Sequence, residues 1–150
     1  MNTSEIYTPS DKRLREIYEN TKTIAVVGMS TNPDRAAYQV PLYLQTMNFH
    51  VIPVSPRGGE ILGEPVRASL ADIDTPVDVV DVFRPAEETP DIARQAVAIG
   101  AKVLWMQVGI VNDKARRIAE ESGLTVVMGR CMGMTHAYLG LGPGPVQTDQ

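Results

Sequence analysis

The feature that most constrains this chain is a set of short apolar runs in which consecutive residues are hydrophobic. They are Thr23 to Val27, Val51 to Val54, Val77 to Phe83, Lys102 to Met106 and Thr125 to Met128, each bounded by Gly, Pro, Asn or Asp. A strand with one face in water alternates apolar and polar residues, whereas a strand covered on both faces has no such alternation. The runs therefore read as strands of a parallel sheet buried between two layers.

The stretches between the runs repeat their apolar residues at helical spacing. Val40, Tyr43, Leu44 and Met47 form one stripe, in which Pro41 must occupy a first turn or bend the helix. Ile92, Ala96 and Ile99 form a second, with Thr89 and Pro90 as cap and first turn and Gly100 as the stop. Ala115, Ile118, Ala119 and Ser122 form a third, begun by Asn112 and ended by Gly123. Leu14, Ile17 and Tyr18 mark a helix ahead of the first strand, N-capped by Ser10 with Asp11 near its positive end. Cys131 to Leu139 reads as a last helical turn. Strand and helix alternate, so the expected class is α/β: a Rossmann-like, doubly wound parallel sheet of about five or six strands with helices on both faces. The crossover from Pro56 to Ala71 is rich in Gly and Pro, with Val66 to Ala68 as a short edge strand and Ser69 to Ile73 as a helical turn.

At 150 residues the chain is expected to form a single domain over 1–150. Residues 1–9 and 140–150 read as flexible ends, the latter through Gly-Leu-Gly-Pro-Gly-Pro. The net charge of −4 disfavours nonspecific nucleic-acid binding, and no apolar run reaches the length of a membrane span. The N-terminal residues lack a secretory pattern and the one cysteine, Cys131, has no internal partner, so a cytoplasmic location is the expectation. Whether the chain forms a homo-oligomer or meets a partner enzyme is left open.

In an open parallel sheet, ligands bind where loops leave the carboxyl ends of the strands. Those loops are Gly28 to Arg35, Ser55 to Gly59, Arg84 and Pro85, Gln107 to Ile110, and Gly129 to Cys131. Arg57, Arg84 and Arg130 each lie just beyond a strand end, so one crevice is expected to gather several phosphate donors in an otherwise acidic protein. Each arginine taken singly is also consistent with a surface ion pair to a nearby Asp or Glu. Gly28 allows a tight turn, and Ser30 and Thr31 add hydroxyls beside the first helix, but the second and third glycines of a dinucleotide fingerprint are missing. An NAD site places a carboxylate after the second strand; this chain has Arg57, which suits a ribose phosphate and points to coenzyme A or NADP.

Groups for catalysis are sparse. There is no nucleophile elbow, no P-loop and no Cys/His cluster of metal-ligand type. His50 opens the second strand away from the ligand edge and reads as structural, whereas His136, in the last helical turn, is within approach of the crevice but reads better as a surface or packing residue. Cys131 beside Arg130 at a helix start is a candidate reactive thiol, although a lone cysteine is more often a small buried hydrophobe. Asp78 and Asp81 are three apart in a strand, on opposite faces, which argues against shared acid-base work. Trp105 reads as core.

From about Thr21 to Leu139 the chain resembles the small stand-alone CoA-binding domain proteins, which are related to the N-terminal domain of the succinyl-CoA synthetase α subunit. The resemblance is carried by Thr23-Ile-Ala-Val-Val-Gly-Met-Ser-Thr-Asn-Pro, Val51-Ile-Pro-Val-Ser-Pro-Arg, Asp78-Val-Val-Asp-Val-Phe-Arg-Pro, Leu104-Trp-Met-Gln-Val-Gly-Ile and Gly129-Arg-Cys-Met, in that order. It implies that Gly28, Met29 and Ser30 face the phosphates and that Pro56 and Arg57 flank the nucleotide; Arg35, further along the first loop, is a candidate from its position alone. It further implies Val82, Phe83 and Arg84 along the adenine and diphosphate, Gln107, Val108 and Gly109 on the pantetheine side, and Cys131 near the pocket mouth, next to the strand-end Arg130. The synthetase's phosphorylated histidine belongs to a second domain and finds no counterpart in these residues, so ligase activity is not implied. The expected function is CoA or acyl-CoA binding without assigned catalysis. The alternatives are an NADP-dependent oxidoreductase and a carrier or sensor of CoA disulfide acting through Cys131.

Overall fold

The computed structural model describes residues 6–144. Its strands are β1 Thr23–Val27, β2 His50–Val54, β3 Glu60–Ile61, β4 Glu64–Pro65, β5 Val79–Val82, β6 Val103–Met106 and β7 Thr125–Val127. Its α-helices are α1 Asp11–Glu19, α2 Ala36–Thr46, α3 Thr89–Ala98, α4 Asp113–Glu121 and α5 Met132–Tyr138. Five strands pair in the order β2-β1-β5-β6-β7, all parallel, while β3 and β4 form a separate antiparallel hairpin. With the hairpin set aside this is the doubly wound 2-1-3-4-5 order, whose switch point lies between β1 and β5. The expected α/β class and strand number hold.

Burial on both faces explains the consecutive apolar runs. On one face Ala25, Val80, Val82, Leu104, Met106 and Val126 pack against Ile92, Ala93 and Ala96 of α3 and Ala115 and Ala119 of α4. On the other, Ile24, Val26, Val79, Trp105 and Val127 pack against Leu14, Ile17 and Tyr18 of α1, Leu44 of α2 and Met132 of α5. Across this second face the register lines up Val26, Asp81, Trp105 and Val127, so Asp81 is the lone charged residue in an apolar row.

Several boundaries move for identifiable reasons. The third run shortens to Val79–Val82, and just ahead of it the Asp78 carboxylate accepts the N–H groups of Lys22, at 2.8 Å, and Thr23, at 3.0 Å. Thr89 is the first residue of α3 and not its cap; its hydroxyl donates to the Ala86 carbonyl at 2.6 Å. Ser10 and Asn112 do cap their helices, accepting from Arg13 N at 3.2 Å and Ala115 N at 2.9 Å. The edge strand expected over 66–68 contracts to one parallel bridge between Val54 and Arg67. Arg67 N donates to Pro53 O at 3.0 Å and Ser55 N to Arg67 O at 2.9 Å, which covers the outer edge of β2.

Pro41 lies inside α2, beyond its first turn. A proline there cannot donate to the carbonyl four residues back, which is that of Ala37. That carbonyl instead accepts Ser30 N–H at 3.1 Å, so the helix-breaking residue ties the loop after β1 to α2.

The ends are more fixed than the sequence suggests. Tyr7 exchanges backbone hydrogen bonds with Met128 at 3.1 and 2.8 Å, and its hydroxyl donates to Glu120 at 2.6 Å. After α5, Leu141 packs on the second core, and Gly144 N donates to Met47 O at 2.9 Å. Residues 1–5 and 145–150, the outer parts of the expected flexible ends, lie outside the described residues. Among the described residues no helix is long and apolar enough to cross a membrane.

Candidate functional site

A cleft of about 960 Å³ opens at the carboxyl edge of the sheet, beside the β1/β5 switch point. Its walls are the loop after β1 (Gly28 to Thr31, with Arg35), the loop after β2 (Ser55 to Gly58), residues 68–70, and the start of α3 with Arg84 before it. The topology creates this space because the chain leaves β1 toward β2 on one side and returns to β5 on the other.

The loop after β1 is held by its own side chains. Gly28 has φ +90°, and its N–H donates to Val54 O at 3.2 Å. Ser30 Oγ accepts Asn32 N–H at 2.9 Å, Asn32 Oδ1 accepts Asp34 N–H at 3.0 Å, and Gln39 reaches back to Pro33 O at 2.9 Å. After β2, Ser55 Oγ accepts Arg57 N–H at 3.2 Å and Gly58 turns at φ +69°. The glycine at 28 leaves room for another residue of the site: a Cβ there would stand 2.8 Å from Arg84 Cδ and 3.3 Å from the Phe83 carbonyl carbon. The Arg84 stem therefore lies across the bare Gly28 backbone.

Three arginines border the cleft, but they are not the three expected. Arg57 and Arg84 are joined by Arg35, the residue preceding α2. Among the described residues the Arg35 and Arg57 guanidinium groups meet no carboxylate. Arg84 is engaged: its Nε donates to Glu88 Oε1 at 3.1 Å and its Nη2 to Glu88 Oε2 at 2.7 Å, in a pair about half exposed on both sides. That hydrogen bonding holds the Glu88 carboxyl below the usual range. Arg130 is carried elsewhere because β7 lies beyond β6 from the switch point. Its Nε donates to Thr135 at 2.7 Å, its Nη1 reaches Thr8 at 3.3 Å, and its carbonyl accepts the indole N–H of buried Trp105 at 2.7 Å.

Of the other residues singled out in the sequence, Gly28, Met29, Ser30, Arg35 and Pro56 line the cleft. Val82 is fully buried under α3 and α4, and Phe83 packs into the opposite core. Gln107 is buried and donates to Asp81, whereas Val108 is exposed and Gly109 turns at φ +80°. Cys131 N-caps α5, where its Sγ accepts Met134 N–H at 3.4 Å. His50 meets Glu64 at 2.9 Å near the β3/β4 hairpin; His136 is buried among Tyr18, Tyr43 and Phe49 with Nδ1 2.8 Å from the Tyr43 hydroxyl. Neither lines the cleft. Sequence reasoning passed over the acidic wall, Glu88 and Asp91, and with it Gln95, which donates to Asp91 at 2.9 Å. The four-residue spacing from Arg84 to Glu88 was the available signal.

A doubly wound sheet with an arginine-bordered cleft at its switch point defines the class: a Rossmann-like α/β domain. The chain belongs to the CoA binding domain family, whose model matches residues 22–137. It is 40% identical over 129 residues to the uncharacterized protein YneT of Bacillus subtilis, covering 86% of this chain and 96% of that one. It is 27% identical to the ADP-forming acetate-CoA ligase I of Archaeoglobus fulgidus over 80% of this chain, which is 19% of the ligase. Among solved structures, a hypothetical protein from Pyrococcus horikoshii superposes with a TM-score of 0.85 at 39% identity, covering 87% of this chain and 92% of that one.

Proposed function

We propose that this protein binds coenzyme A, free or as an acyl-CoA, in the cleft at the β1/β5 switch point. The observation that carries this reading is an open cleft of about 960 Å³ bordered by Arg35, Arg57 and Arg84 in a chain of the CoA binding domain family. The volume lies at the upper end of small-molecule sites, as an elongated ligand requires. In this reading Gly28, Met29 and Ser30 face the diphosphate, Pro56 and Arg57 flank the nucleotide, and Arg84 approaches the phosphates above Phe83. The pantetheine arm leaves the cleft across the end of β5 toward Gln107, Val108 and Gly109, with Arg130 and Cys131 beyond them. The comparisons support CoA and give no support to NADP.

Calorimetric titration with CoA tests the reading. Arg57→Ala removes an exposed cation that meets no carboxylate among the described residues. It is expected to weaken CoA binding about tenfold, the usual scale of one charge-assisted hydrogen bond, and to leave the thermal midpoint in place. Absence of binding to the wild-type protein at millimolar CoA overturns the proposal.

A further inference from the structure

The charges around the cleft are not equivalent. Arg35 and Arg57 meet no carboxylate among the described residues, whereas Arg84 has the Nε/Nη2 edge of its guanidinium filled by Glu88. The second carboxylate of the cleft, Asp91, is held by the neutral Gln95 side chain, which leaves it off the arginines. Two independent anchors fix the Arg84 to Glu88 pair. The arginine stem is seated on Gly28, where no side chain interferes, and Glu88 immediately precedes α3, where a carboxylate is favoured by the helix dipole. The bidentate geometry that Glu88 offers Arg84 is the geometry that a phosphate oxygen pair offers.

We propose that Glu88 sets the cleft's affinity and its selectivity for ligand charge. It occupies the Nε/Nη2 edge of Arg84 as a resident anion, and a ligand gains that bidentate edge only by bringing phosphate oxygens that displace it. This rests on the reading of the cleft as a CoA site and names the residue that governs how tightly phosphates are held there. The pair is half exposed, so it exchanges readily with a polyanion and poorly with a single weak carboxylate. Glu88 is exposed, and Glu88→Gln keeps its shape while removing its charge.

The test is a double-mutant cycle on the whole protein, with CoA affinity measured by calorimetry at low ionic strength for the wild type, Glu88→Gln, Arg84→Gln and the double variant. Glu88→Gln is expected to tighten CoA binding about three- to tenfold, Arg84→Gln to weaken it, and the gain from Glu88→Gln to vanish in the Arg84→Gln background. Unchanged or weaker CoA binding in Glu88→Gln overturns the inference, because the carboxylate then does not compete. So does an equal gain with and without Arg84, which marks general repulsion, and so does unimpaired binding in Arg84→Gln. If CoA binds the wild type but the cycle fails in any of these ways, the inference alone falls; if CoA binds none of the four proteins, the CoA reading itself falls and the inference with it.

Discussion

Asp81→Asn is expected to flatten the dependence of stability on pH between about pH 4 and pH 7 and to make the protein more stable than the wild type above that range. Asp81 is fully buried in the row formed by Val26, Trp105 and Val127, and burial pushes its carboxyl from 3.8 up to about 7 against the lowering effects of the Gln107 and Val82 hydrogen bonds. One oxygen accepts from Gln107, and the other has no hydrogen-bond partner. The folded chain therefore keeps a proton that the unfolded chain has already lost, so stability falls as pH rises from the unfolded value through the folded one. A shift of this size corresponds to a loss on the order of 4 kcal/mol once the group is fully ionised. Asparagine retains an acceptor for Gln107 and cannot ionise, at the cost of a buried amide N–H without a partner, about 1–3 kcal/mol. The variant should then match or trail the wild type near pH 4.5 and exceed it near pH 8.5. His136 contributes a slope of opposite sign: burial lowers its pKa, so the unfolded chain binds that proton more tightly and stability rises with pH through its range. That slope is common to both proteins and cancels in the comparison. Urea denaturation midpoints at the two pH values decide the matter, and parallel pH profiles would show that Asp81 is not the group responsible.

The sheet was legible because burial on both faces leaves a signature in composition that needs no partner to be known: Thr23 to Val27 and Lys102 to Met106 have no polar alternation to misread. The site was legible only in part. A strand end can be located from sequence, but the neighbours of a strand depend on its order in the sheet, which local pattern does not encode. Arg57 and Arg84 follow β2 and β5, which flank β1, and they meet at one cleft; Arg130 follows β7, two strands beyond β5, and does not. Trp105 then holds the Arg130 carbonyl on the far side. Pro41 shows the same limit at shorter range. Its missing N–H was evident from sequence, but that the freed Ala37 carbonyl would find Ser30 requires knowing that the loop folds back over the helix start. Asp81 read as a strand residue facing away from Asp78, and it lies in β5 opposite Val26, whereas Asp78 precedes the strand. Its isolation in an apolar row became visible only with Trp105 and Val26 beside it.

Gly28→Ala is expected to lower both stability and CoA affinity, and the two losses have separable causes. Gly28 has φ +90°, a conformation that costs an L-residue roughly 1–3 kcal/mol, so alanine is strained there whatever surrounds it. The added methyl also stands 2.8 Å from Arg84 Cδ and 3.3 Å from the Phe83 carbonyl carbon. The arginine stem can swing aside, but the backbone at Phe83 is held by the hydrogen bond from Phe83 N to Val27 O at 2.9 Å, so part of the strain cannot relax. A total destabilisation of about 2–4 kcal/mol follows, read as a fall in the urea midpoint. Swinging Arg84 off its seat also separates it from Glu88 and from the phosphates of a bound CoA, so affinity should fall at least tenfold even at temperatures where the variant is fully folded. Gly58 provides the control. It turns at φ +69° in the same cleft, but a Cβ there meets nothing within 4 Å. Gly58→Ala should therefore show the backbone cost without the displacement of Arg84, and so lose stability while binding CoA more nearly as the wild type does. Equal losses of affinity in the two variants would mean that loop conformation, and not the seating of Arg84 on Gly28, controls the cleft.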